Sequence, residues 1–168
     1  MPTLTNEQVL AQLHAAFTDA IRTPEEPYGM LTIYTTAEAL LPLLAYVKED
    51  SVLQMNFLTS ITAVHYPHHA GAEFTVVYHC HSWVTGVRLR IKVQVPLTDP
   101  TVPTAVSIHE CANWMERETF DNFGINFSGH PNLVRILNMD DMDYHPLRKE
   151  YPLEDPTRND KVDLQFGR

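Results

Sequence analysis

The sequence predicts an α+β fold: a two-layer domain, a mixed β-sheet with helices on one face, followed by an extended C-terminal tail. Three observations predict it. Residues 74–81 and 87–95 alternate apolar and polar side chains with period two, the mark of strands with one face on a core and one face wet. Three other stretches open on a capping pattern and continue with helical spacing. From Met139 onward the apolar periodicity stops, and the last 24 residues, from His145, hold three prolines and many charges.

In chain order, Thr5 with Gln8 forms a capping box, and Val9, Leu10, Leu13, Phe17 and Ile21 recur at helical spacing, so a first helix is expected over 6–21. Residues 23–27 read as a loop, and 30–34 as a short strand. Thr35 with Glu38 repeats the capping pattern and opens a second helix to about Glu49. Pro42 inside it implies a kink or a later start, with the proline in the first turn. Residues 61–66 enter a strand closed by Pro67 and Gly71. Then Phe74, Val76, Tyr78 and Cys80 alternate with Thr75, Val77, His79 and His81. After the turn at Thr85-Gly86, Val87, Leu89, Ile91, Val93 and Val95 alternate with Arg88, Arg90, Lys92 and Gln94. Residues 96–104 form a Pro-, Asp- and Thr-rich loop. Ser107 with Glu110 is a third capping pattern, opening a helix to Phe123 that Gly124 ends in the left-handed conformation. Residues 132–137 read as another short helical turn. The order α-β-α-β-β-β-α belongs to a two-layer α+β domain over 1–138, with 139–168 as the extended segment.

Composition narrows the function. A chain of 168 residues is one domain, and 44% hydrophobic residues suffice for a core. A net charge of −9 argues against nucleic acid as partner, since phosphate binding needs a basic face. No apolar run approaches the roughly 20 residues that span a bilayer. The start, Met1 to Thr5, shows no signal peptide, so the expected place is the cytoplasm. Two cysteines, Cys80 and Cys111, cannot supply the thiolates of an iron–sulfur cluster, and both read as small buried hydrophobes. The six glycines form no phosphate-binding loop. Nine histidines, among them His79 and His81 on one strand face and His65, His68 and His69 near a turn, invite a metal reading, yet no ligand spacing supports it. No nucleophile elbow occurs, and Glu116 and Glu118, two apart on a helix, point in different directions.

The third helix is informative as geometry. At about 100° per residue, Cys111, Ala112, Met115, Thr119 and Phe123 share one arc, with Glu116 at its edge. Trp114, Arg117, Glu118 and Asp121 share the opposite side. Trp114 is placed for a cation–π contact with Arg117, and Arg117 and Asp121 for an ion pair; Trp114 reads either as a partly exposed ring packed by the following loop or as an interface anchor. Glu116, bordered by apolar neighbours, needs a backbone N–H or a cation, for which Arg135 and Arg148 are candidates.

Residues 113–149 carry a dense mixture of types that do not interchange. The run Glu116-Arg117-Glu118, Phe120-Asp121, Phe123-Gly124-Ile125, Phe127, Gly129-His130-Pro131, Leu133, Arg135-Ile136-Leu137, followed by His145-Pro146-Leu147-Arg148-Lys149-Glu150-Tyr151-Pro152-Leu153, resembles the signature of the C subunit, or 30-kDa subunit, of NADH-quinone oxidoreductase, respiratory complex I. Leu58-Thr59, Thr62-Ala63-Val64, Tyr66-Pro67 and 87–93 are similar to that family too. The family usually has Asp where His65 stands, and Gly where Tyr144 stands. The resemblance implies a non-catalytic, cofactor-free structural subunit of the peripheral arm, with FMN and iron–sulfur clusters on other subunits. It implies a peripheral place on the cytoplasmic side of the energy-converting membrane, beside the quinone-reducing module and chiefly against the D-subunit homologue. Trp114, Glu116, Arg117, Glu118, Asp121, Gly124, Phe127, Gly129, His130, Pro131, Leu133, Arg135 and 145–149 with Tyr151, Pro152 and Leu153 are then interface and signature residues. The tail from His145 is expected to dock on another subunit and to order there. Related subunits occur in ferredoxin-linked photosynthetic complexes and membrane-bound hydrogenases, and a free-standing His-rich metal enzyme is the rival of a different class.

Overall fold

The computed structural model describes residues 4–18 and 20–152. Helix α1 (Asn6–Ala16) starts as the capping box requires: the Gln8 N–H donates to the Thr5 hydroxyl, and the Gln8 side chain accepts from the Thr5 N–H. It ends about a turn earlier than the spacing predicts. The Thr18 hydroxyl bonds back to the His14 carbonyl at 3.0 Å, and Ile21 reaches the core from beyond the helix.

Strand β1 (Arg22–Glu25) lies where the sequence suggests a loop; Pro24 is tolerated because the strand is an edge. After a short 3-10 turn come β2 (Leu31–Thr35) and α2 (Ala37–Glu49). Thr35 does not cap α2, because it is still paired with Val93 in the sheet; Thr36 takes that role, accepting from the Ala39 N–H. Pro42 sits inside α2. Strands β3 (Phe57–His65), β4 (Phe74–His81) and β5 (Arg88–Val95) follow, β3 beginning four residues before the predicted entry.

The five strands order as β1-β2-β5-β4-β3, with β2 and β5 parallel and the other pairs antiparallel. The sheet is mixed, as predicted. Its inner face carries Leu31, Ile33, Phe74, Val76, Tyr78, Leu89, Ile91 and Val93, which form one buried cluster with Val9 and Leu13 of α1 and Leu40, Leu43, Leu44 and Val47 of α2.

Two further strands appear that the sequence does not announce. Strand β6 (Thr101–Pro103), within the Pro-rich loop, pairs in parallel with β7 (Asn126–Ser128). Between them lies α3 (Ala112–Phe123). It starts later than Ser107 predicts: Cys111 precedes it without a side-chain cap, and 105–109 form turns bonded to the Ala105 carbonyl. The later start leaves Cys111 exposed, not buried, whereas Cys80 is buried. Helix α3 lies along edge strand β3, its Thr119 hydroxyl 3.4 Å from the Ile61 carbonyl, so that edge is covered from one side.

Candidate functional site

Two carboxylates of α3 organise what surrounds the helix. Glu116 is fully buried. Its Oε2 accepts from the Thr104 hydroxyl at 2.5 Å and its Oε1 from the Ala105 N–H at 2.7 Å, tying α3 to the loop after β6. Neither Arg135 nor Arg148 serves it. The nearest basic group is the buried His130 ring, its Nε2 4.0 Å away, on the Asn113 carbonyl at 3.1 Å, while His130 Nδ1 accepts from the Asn132 N–H. That pattern is the neutral imidazole. Burial therefore pushes the Glu116 carboxyl up, offset only in part by Thr104 and Ala105, to about 7.

Asp121 departs from the helical-wheel expectation. It is fully buried rather than exposed, and it does not pair with Arg117. Three successive N–H groups, of Ile136, Leu137 and Asn138, donate to its Oδ2 at 3.0, 2.8 and 2.9 Å. Arg135 Nη1 and Asn138 Nδ2 donate to Oδ1 at 2.6 and 3.0 Å. Burial raises the carboxyl, but the Asn138 and Leu137 N–H groups, the Asn138 side chain and Arg135 outweigh it and hold Asp121 well below the usual carboxylate range. No helical turn forms over 132–137, because the N–H groups that would build it converge on the carboxylate.

The arginines finish the corner. Arg135 also donates to the Met142 and Tyr144 carbonyls at 2.6 and 3.0 Å. Arg117 donates to the Val134 and Arg135 carbonyls, both at 3.1 Å, so it holds the loop and makes no cation–π contact with Trp114 among the described residues. Trp114 and Glu118 are exposed. Phe127 is buried on β7, Gly129 has positive φ, Pro131 is exposed and Leu133 packs partly on the core.

The segment after Asn138 is not a separate extension over its described part. Gly124, at φ 74°, allows it to close onto α3: a Cβ there would overlap Arg148 Nη2 and stand 2.6 Å from His145 Cδ2. His145 Nδ1 bonds the Asp121 carbonyl at 2.9 Å and its ring meets Phe120 edge-on. The Leu147 N–H donates to the Asn122 carbonyl and Arg148 Nε to that of Phe123, satisfying carbonyls that the helix end leaves open. The Arg148 guanidinium lies 5.3 Å from the Phe74 ring centroid. The Lys149 N–H donates to Nδ1 of buried His65 at 3.0 Å. Tyr151 packs beside Tyr144, Pro152 is exposed, and Leu153 lies outside the described residues.

This corner presents apolar side chains to solvent. Val134, Ile136, Leu137 and Met139 are exposed within six residues, Leu137 at 67% and Met139 at 68%, with Trp114 at 60%. Leu147 and Tyr151 are exposed as well. Sequence reasoning passed over Val134 and Met139, and also the partners Thr104, Ala105, Asn122 and Asn138. The V-x-I-L-x-M run was the available signal, read instead as a helical turn.

The family described as respiratory-chain NADH dehydrogenase, 30 Kd subunit, matches residues 33–157. The chain belongs to this family. It is similar to the C subunit of the NADH-quinone oxidoreductase of Citrifermentans bemidjiense, 40% identical over 91% of this chain and 93% of that one. The corresponding C subunit from Nocardioides sp. is 43% identical over 74% of this chain, and the match spans half of that relative's length. Among solved structures, the trypsin-resistant fragment (1–134) of Nqo5 aligns with TM-score 0.64 and 32% identity over 76% of this chain and 98% of the fragment. A chain of the membrane-bound sulfane sulfur reductase, an archaeal respiratory membrane complex, shares the fold with TM-score 0.74 and 24% identity over 88% of this chain and 85% of its own.

Of the histidines that invite a metal reading, His79 is engaged on both ring nitrogens. Arg90 Nε donates to His79 Nε2 at 2.9 Å, so Nδ1 carries the proton and faces Ser60 Oγ at 2.9 Å. Burial and the Arg90 charge lower the His79 pKa. Ser60 therefore has no base at His79, and no three metal-ligating side chains converge among the described residues. No helix among them is long and apolar enough to cross a membrane.

Proposed function

We propose that the chain is a non-catalytic, cofactor-free structural subunit of the peripheral arm of a proton-translocating NADH-quinone oxidoreductase. It supports the quinone-reducing module and the assembly of the complex from the cytoplasmic side of the membrane, chiefly against the D-subunit homologue. FMN and the iron–sulfur clusters belong to other subunits. The observation that carries this reading is the apolar run Val134, Ile136, Leu137 and Met139, held in the open by the Asp121 and Arg117 hydrogen bonds. A soluble domain gains nothing from fixing such side chains toward water, whereas an interface gains a pre-ordered apolar patch. Residues 145–152 add two further exposed apolar side chains, Leu147 and Tyr151.

The test is to replace Leu137 and Met139 by Asp in the full chain and follow two quantities. The isolated variant should melt within a few degrees of the parent, and the complex purified from membranes should lack this subunit and lose NADH:quinone activity. Normal assembly with the double variant, or NADH oxidation by the isolated parent chain, would overturn the reading.

A further inference from the structure

The other face of the sheet is turned away from the α1 and α2 cluster; Thr32, Thr75 and Val77 are buried on it, and it is open at Arg88, Phe57 and Thr59. The chain carries a net charge of −9, yet strands β2 to β5 contain no Asp or Glu. The charged side chains they place on this face are Arg88, Arg90 and Lys92, alternating with the buried Leu89, Ile91 and Val93. Lys92 is neutralised by Glu25 of β1 at 3.0 Å. Arg90 donates to a neutral imidazole, His79. Arg88 is exposed and has no carboxylate within ion-pair distance among the described residues. A cationic face on an acidic chain selects an acidic partner and repels a like one.

Beside Arg88 the face holds a cleft of about 500 Å³, lined chiefly by apolar surface, among Phe57, Thr59, His79, His81, Trp83 and Arg88. The Trp83 ring lies 5.4 Å from Phe57 and 5.2 Å from His81, and Trp83 is still 67% exposed. Its turn is fixed beforehand: the Ser82 hydroxyl accepts from the Thr85 N–H at 3.1 Å, and Ser82 and Gly86 close the hairpin through backbone bonds at 3.0 and 2.9 Å. An exposed Trp on a rigid turn, beside an Arg with no ion-pair partner among the described residues, has the composition of a binding hot spot, with little ordering cost left at docking.

We propose that this face is a second docking site, taking an acidic segment of another subunit whose apolar side chain enters the Phe57–His81–Trp83 cleft while a neighbouring carboxylate meets Arg88. The proposal rests on the chain being a subunit of a larger complex. A second copy of this chain fits poorly: a two-fold pairing through the face sets Arg88 and Arg90 against their own equivalents.

The experiment places a photo-crosslinking amino acid at Thr59 in the full chain, assembles it into the complex in native membranes, irradiates, and maps the crosslinked peptide by mass spectrometry. The expected product joins Thr59 to a different subunit, at a peptide with clustered Asp or Glu next to an aromatic or aliphatic residue. Adding Arg88→Glu or Trp83→Ala should cut the yield about tenfold at near-physiological salt, as for a hot-spot truncation, while the chain still co-purifies through its Asp121 corner. Crosslinks to a second copy, to residues 153–168, or to no partner overturn the proposal, as does an unchanged yield in both variants. A parent chain missing from the purified complex overturns the subunit reading itself; one that is present but uncrosslinked overturns only this site.

Discussion

Arg135 Nη1 stands 2.6 Å from Asp121 Oδ1, both side chains out of bulk water, and three backbone N–H groups complete the shell of that carboxylate. This one pair decides the path of 134–144, because Arg135 also holds two carbonyls on the far side.

Breaking the pair from either end leaves a buried charge uncompensated. Arg135→Ala or Asp121→Ala should cost about 3–5 kcal/mol in denaturant unfolding. A loss below about 1 kcal/mol in both, as for an exposed pair, would show the pair to be dispensable. The Asp121 contribution depends on acid in a definite sense. The folded value is depressed, so the contribution is complete above the unfolded value near 3.8 and is lost as pH falls toward the folded one. The difference between the parent and Asp121→Asn should therefore shrink below about pH 4.

Glu116 has the opposite sign. Its folded value is raised from 4.5 to about 7, so its favourable contribution is full below 4.5 and is lost as pH rises through 7. The parent should lose on the order of 2 kcal/mol between pH 5 and 8 relative to Glu116→Gln, whose stability should be flatter there. Parallel slopes for the two proteins across that range would refute it.

Gly124→Ala meets both an unfavourable backbone and the His145 and Arg148 side chains. A loss of about 1–3 kcal/mol is expected, with faster hydrogen exchange at the Leu147 and Lys149 amides. Unchanged exchange at those two amides would mean that the segment does not depend on the close approach.

Truncation after Asp143 removes the groups that occupy the Asp121, Asn122 and Phe123 carbonyls. The isolated domain should melt several degrees lower. The contrary expectation, a domain whose folding is indifferent to the tail, predicts an unchanged Tm.

In the sheet, Leu89→Ala should cost about 2–5 kcal/mol, as for a core leucine. Arg90→Ala should cost under about 1 kcal/mol, since it loses one half-exposed bond to His79. Equal losses would mean that both faces are core.

The sequence by itself determined the helical spacing of Val9 and Leu13, the Thr5–Gln8 cap, the alternation that turns Leu89 inward and Arg88 outward, and the stop at Gly124. Each is local, written between residues a few positions apart, so it survives any tertiary arrangement that keeps the element. The family pattern in 116–153 was legible too, and with it the expectation of a subunit of a respiratory complex.

Only the tertiary structure decided where Asp121 points in energy terms. A helical wheel puts it on the polar side, and it does lie off the core face. A loop 15 to 17 residues onward then covers it with N–H groups. Parallel pairing of β6 with β7, Glu116 reaching back 12 residues to Thr104, and Lys149 meeting His65 across 84 residues are decisions of the same kind. Such partners leave no periodicity, because one buried carboxylate is satisfied by whichever N–H groups chain closure brings to it. The cost of leaving it unsatisfied then selects the path of the loop.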